Sequence, residues 1–125
     1  IPRGARPLKD DVYVRAMGSG TVYKLHWQPA IIGRSDKNVN DEELLISNFE
    51  SLPLGLRISR RHASISERNG RYYIQQLSRN PTLLESADGF TTALGIDKRE
   101  LHHGDHIKLE RSGTEFKFIE RNKLK

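Results

Sequence analysis

Short apolar runs that alternate with polar residues, broken by turn chemistry roughly every 8–15 residues, run through this chain and leave little room for helices. Val12, Val14 and Ala16 fall on one face of a first expected strand, which Gly18-Ser19-Gly20 ends. Tyr23, Leu25 and Trp27 are expected to share a face of the second. Ala30-Ile31-Ile32 is a short, buried-looking run that ends at Gly33-Arg34. Ala63 and Ile65 alternate with His62, Ser64 and Ser66, and Asn69-Gly70 is a strong hairpin signal leading into Tyr72-Tyr73-Ile74. Ile107 and Leu109, then a turn at Ser112-Gly113, then Phe116 and Phe118 complete the pattern. Only residues 40–46 offer a capped helical turn, and Leu44-Leu45-Ile46 could equally be a strand. The expected class is all-β, a sandwich or a barrel.

Composition narrows the function. The chain has 125 residues, enough for one domain, and its start at Ile1 is expected of a piece of a longer protein. The absence of cysteine excludes disulfides and Cys-ligated metals. No apolar run reaches the ~18 residues that a spanning helix needs. A net charge of +5 and a pI near 9.7 call for acidic partners. The charge is also unevenly spread. Residues 36–50 hold five acids and one lysine, whereas residues 57–79 hold six arginines and one acid, Glu67. Arginine rather than lysine favours two-pronged recognition of oxyanions.

A phosphate monoester carries about −1.5 to −2 charge at pH 7 and three strong acceptor oxygens. Gripping it requires a forked guanidinium, a hydroxyl donor and free N–H groups on neighbouring loops. Three stretches supply such groups: Gly33-Arg34, then residues 57–62, then Ser78-Arg79-Asn80-Pro81-Thr82.

These stretches, in this order, resemble the forkhead-associated (FHA) domains. Gly33-Arg34, Ser59-Arg60-Arg61-His62 and Ser78-Arg79-Asn80 match that family's Gly-Arg, Ser-x-x-His and x-Asn-Gly signatures, and Gly104-Asp105-His106-Ile107 its Gly-Asp-x-Ile element. The resemblance spans residues 12–119, leaving 1–11 as an expected flexible N-terminal segment and 120–125 as a tail. It implies an FHA/SMAD-like β-sandwich of about eleven mostly antiparallel strands. It also implies a non-enzymatic module that binds phosphothreonine peptides at one rim, without a cofactor or metal, downstream of a Ser/Thr kinase. An intracellular setting, cytoplasmic or nuclear, is expected, with no membrane partner.

The same resemblance distributes the roles. Arg34 matches the phosphate clamp, Ser59 the hydroxyl donor, and Asn80 the asparagine that bonds the peptide main chain. Arg60 takes the next pocket position. Arg79 stands where a small hydroxyl residue is common, and it brings a further guanidinium toward the phosphate or an acidic peptide residue. Arg57 matches a position that contacts the phosphate or the residue three beyond it. Gly33 and His62 shape the loops. Three departures stand out: Pro81 replaces the glycine after Asn80, residues 48–55 are longer than usual, and Gln76 replaces a common aspartate, with little expected effect on binding.

Other readings compete. The pI and the arginines suit nucleic acid, but residues 57–71 carry no aromatic to interleave and stack on bases. An FHA-fold scaffold with phosphate-independent partners is a third possibility. His102-His103-Gly104-Asp105-His106 contains good metal ligands, yet neighbours on an extended chain point to opposite faces and Gly104-Asp105 reads as a turn. Ser59, His62 and Asp105 are the ingredients of a hydrolase triad, but no oxyanion hole is identifiable beside them.

Overall fold

The computed structural model describes residues 3–34 and 58–121 in full, together with the backbone course of residues 44–46. Thirteen strands occur among them: β1 Arg6–Pro7, β2 Val12–Ala16, β3 Val22–Lys24, β4 Trp27–Gln28, β5 Ala30–Ile32, β6 Leu44–Ile46, β7 Ala63–Arg68, β8 Arg71–Gln76, β9 Thr82–Glu85, β10 Thr91–Ala93, β11 Arg99–Leu101, β12 His106–Leu109 and β13 Thr114–Glu120. Eleven lie in two main sheets, one of six strands ordered β10-β9-β12-β13-β2-β3 and one of five ordered β11-β8-β7-β5-β6. A small ribbon, β1-β4, makes a third unit. Every pairing is antiparallel except β5 with β6, which settles Leu44–Ile46 as a strand.

Period-2 alternation explains the core. Val12, Val14, Ile107, Leu109, Phe116 and Phe118 point inward from the larger sheet, and Ile32, Ala63, Ile65, Tyr72, Ile74 and Leu101 from the smaller one. Tyr72 and Phe118 meet between the sheets at 5.5 Å between ring centroids, tilted by 53°. Tyr72 keeps its hydroxyl satisfied by donating to Asp10 Oδ2 at 3.0 Å, and burial is the main reason its pKa is raised well above the ordinary 10.0. At the β7–β8 turn, Asn69 and Gly70 both take the left-handed backbone that a tight hairpin requires.

One expectation is corrected. Tyr23, Leu25 and Trp27 do not share a strand face. The chain leaves β3 at Lys24 and re-enters β4 at Trp27, with Leu25 fully buried between them. Within the segment expected to be flexible, Arg6–Pro7 pair with Trp27 and Gln28, Leu8 packs on the core, and its N–H donates to His26 O at 2.9 Å. The chain's other end closes on the same strip: the Arg121 N–H donates to Asp11 O at 3.0 Å, and its guanidinium lies 4.9 Å from the Tyr13 ring centroid.

Candidate functional site

Strand register brings the motifs together. β5 pairs with β7 so that Ile32 sits opposite Ala63, which sets the end of β5 beside the loop that enters β7. At that junction Gly33 is buried, and a Cβ on it would fall 1.8 Å from the Arg60 carbonyl oxygen. Glycine is required here by space. The close approach lets the Arg34 N–H donate to Ser59 O at 3.0 Å, while Arg34 Nε donates to Ile58 O, also at 3.0 Å. The half-buried guanidinium is thereby anchored alongside the Ser59 loop.

His62 binds three segments to one another. Its N–H donates to Ile32 O, its carbonyl accepts from Leu77 N–H, and its Nδ1 accepts from Ser59 N–H at 3.1 Å. With Nδ1 accepting, the proton of the neutral ring belongs on the buried Nε2. Burial lowers the His62 pKa from its ordinary 6.5, opposed in part by the Pro81 carbonyl. The ring is thus held neutral.

The third segment arrives from β8. Gln76 straddles it, donating through Nε2 to Ser78 O at 2.8 Å and accepting from Thr82 N–H at 3.0 Å. Sequence reading gave Gln76 no role in shaping the loop; these two bonds show that it braces residues 78–82. Pro81 is accommodated: its carbonyl accepts from Glu110 N–H at 3.3 Å. Asn80 reaches back to the Ser59 loop, where Nδ2 donates to Ser59 Oγ at 2.7 Å, and its Oδ1 accepts from Arg111 Nη1 at 3.3 Å. Arg34, Ser59, His62 and Asn80 therefore share one rim. Arg60 and Arg79 are exposed on the same loops, whereas Arg57 and residues 48–55 lie outside the described residues. Arg111, which no motif indicated, joins the cluster because the turn after β12 meets the loop before β9.

The discarded constellations are also resolved. His62 takes the backbone N–H of Ser59, while the Ser59 hydroxyl pairs with Asn80, so no serine–histidine dyad forms. Asp105 serves a turn by accepting from His102 N–H at 2.8 Å. His103 Nδ1 accepts from Glu120 N–H, and His106 faces Glu115, so these histidines have separate partners.

Residues 30–110 match the FHA domain family. Among solved structures, the FHA domain of human APLF in complex with an XRCC1 bisphospho peptide aligns at TM-score 0.62 and 21% identity, over 87% of this chain and 97% of that one. The FhaA FHA domain complexed with the intracellular domain of Rv3910 gives 0.58 at 22% identity, over 86% and 99%. Mycobacterium tuberculosis EmbR in complex with a low affinity phosphopeptide gives 0.59 at 25%, over 86% of this chain and 24% of that one. No curated protein matches the sequence.

Proposed function

The chain belongs to the FHA domain family, and from that membership we propose that it is a phosphothreonine-dependent binding module that docks a client once a Ser/Thr kinase has modified it. The observation that carries this reading is the convergence of three separate chain segments. The Arg34 guanidinium is anchored through Nε on Ile58 O, and Ser59 Oγ lies 2.7 Å from Asn80 Nδ2. A fork, a hydroxyl and an amide on one rim form the donor set that a doubly charged ester requires.

In this reading Arg34 clamps two phosphate oxygens and Ser59 donates its hydroxyl proton to one of them. Asn80 bonds the peptide main chain beside the phosphothreonine. Arg60, Arg79 and Arg57 supply further positive charge to the phosphate or to acidic neighbours. Gly33 and His62 keep the loops in register without touching ligand. Nothing in these roles calls for bond-making, so the domain acts by recognition. Similar solved structures in complex with phosphopeptides support the same choice.

Titration with degenerate phosphothreonine peptides and their unphosphorylated counterparts tests the proposal. Binding is expected only to the phosphorylated pool and should weaken with added salt. It should also fall as the phosphate takes up its second proton near pH 6. Equal affinity for both pools, or tight binding to DNA or RNA in a gel shift with none to phosphopeptides, would overturn the reading.

A further inference from the structure

Arg111 lies in the short 3-10 turn Glu110–Ser112 that joins β12 to β13, outside every motif, yet it contacts the centre of the rim. What each partner can chemically do makes that contact informative. A guanidinium only donates, whereas an amide has one accepting and one donating end. Facing Arg111, Asn80 must present Oδ1, and this leaves Nδ2 toward Ser59. Ser59 Oγ is then an acceptor within the protein, and its one hydroxyl proton remains available to point outward. With the amide reversed, Oδ1 would draw that proton inward and consume the donor an oxyanion needs. Asn80 and Ser59 alone do not decide between the two orientations, because a hydroxyl both donates and accepts.

We infer that Arg111 is a positioning residue that locks the Asn80 amide in one orientation and so keeps the Ser59 hydroxyl proton directed at an incoming phosphate. Its role rests on the phosphothreonine reading above. Arg111 need not touch ligand, because it acts through a polarised series from guanidinium to amide to hydroxyl, in which each bond strengthens the next. The backbone supports the same linkage. Glu110 N–H donates to Pro81 O at 3.3 Å, so the turn that carries Arg111 is tethered to the loop that carries Asn80. Pro81 fixes the chain after Asn80 and has no N–H to offer, which leaves the orienting task to a side chain.

Two measurements separate this inference from the reading it rests on. In the free protein, the Asn80 side-chain amide protons should exchange with water more slowly than those of other surface asparagines by NMR. Arg111→Ala should abolish that protection and Arg111→Lys, also donor-only, should largely restore it. In peptide titrations, Arg111→Ala should weaken binding of the degenerate phosphothreonine pool roughly five- to tenfold, with Arg111→Lys near wild type and the melting temperature unchanged. In a Ser59→Ala background, followed at high peptide concentration, the same Arg111→Ala change should cost less than about twofold. An equal loss in both backgrounds would mark Arg111 as simple attractive charge and overturn the lock. Unaltered Asn80 exchange in Arg111→Ala would do the same. Arg111-dependent protection in a protein that binds no phosphothreonine peptide would keep the amide lock and sink the function assigned to it.

Discussion

Two ends of the five-stranded sheet are both basic but differ in construction. β7 leaves the rim at Ala63 and reaches Arg68, roughly 17 Å away at strand rise. At that far end Arg6, Arg68 and Lys98 surround a cavity of about 870 Å³, with Ser66, Glu67, Tyr73 and Gln28 also in its walls. Arg6 donates through Nε and a terminal nitrogen to the Gln28 side-chain oxygen at 2.9 and 2.7 Å, once that amide is turned to face it. Among the described residues the side chains of Arg68 and Lys98 have no hydrogen bond or ion pair, and Glu67 offsets part of the charge. At the rim, by contrast, Arg34 is held on Ile58 O, Ser59 is bonded to both His62 and Asn80, and Asn80 to Arg111, all at 2.7 to 3.3 Å. The far end is a cavity lined by cations, whereas the rim is a set of donors oriented by bonds to neighbouring segments. Selective recognition of an oxyanion depends on the second property, because donors already oriented lose little entropy on binding.

The largest expected effect breaks this contrast if it is wrong. Arg34→Ala should weaken phosphothreonine-peptide binding at least about a hundredfold, since it removes one partner of a charge-assisted contact. The double variant Arg68→Ala, Lys98→Ala should stay within about twofold of wild type. Fluorescence anisotropy with one labelled peptide measures both. Comparable losses at the two ends would reduce binding to overall positive charge.

A second contrast concerns the glycines. Gly33 is required because the Arg60 carbonyl occupies the place of a side chain, so Gly33→Ala should destabilise the fold by about 3 kcal/mol and take the rim with it. Gly70, at the far end, sits at φ +79° with open space around its Cα. There alanine meets only left-handed backbone strain, and the expected cost is about 1–2 kcal/mol with affinity retained. Chemical denaturation of both variants ranks the two requirements. If Gly33→Ala proves the milder, the close approach of the loops is not what holds Arg34 in place.

The glycines also show what the sequence could and could not disclose. Asn69-Gly70 was legible because a two-residue hairpin needs positive φ, a local property. Gly33 was legible only as part of an ordered motif, since the carbonyl that excludes its side chain comes from Arg60 on another segment. The alternating runs of β2, β7, β12 and β13 announced themselves through their buried faces. β10 and β11 did not: Thr91–Ala93 and Arg99–Leu101 are three residues each, and of the six only Leu101 is buried, so no apolar alternation marks them. Arg6–Pro7 is a strand by pairing alone, with no apolar pattern to mark it. Gln76 and Arg111 were invisible for the same reason. Their tasks depend on which loops the register brings together, and neither lies in a stretch whose neighbours name that task.

The smallest effect follows from the rim histidine and is measured best without peptide, because the phosphate itself titrates near pH 6. His62 is almost fully buried, its Nδ1 accepts from Ser59 N–H, and burial holds its pKa below the ordinary 6.5. Above about pH 6.5 both folded and unfolded chains carry it neutral, so it gives stability no pH dependence there. Below that value the unfolded chain takes up the proton first. Stability should therefore fall as pH drops from 6.5 toward the folded pKa, by at most about 1.4 kcal/mol per pH unit for one proton. Other groups titrate in the same range, so the informative quantity is the difference between wild type and His62→Asn in thermal melts at pH 7.5 and 5.5. The variant should be less stable at pH 7.5 and should lose less on acidification. Parallel losses in the two proteins would place the acid sensitivity elsewhere. They would also mean that the Ser59 loop is held by Arg34, through its N–H on Ser59 O and its Nε on Ile58 O, rather than by the neutral ring.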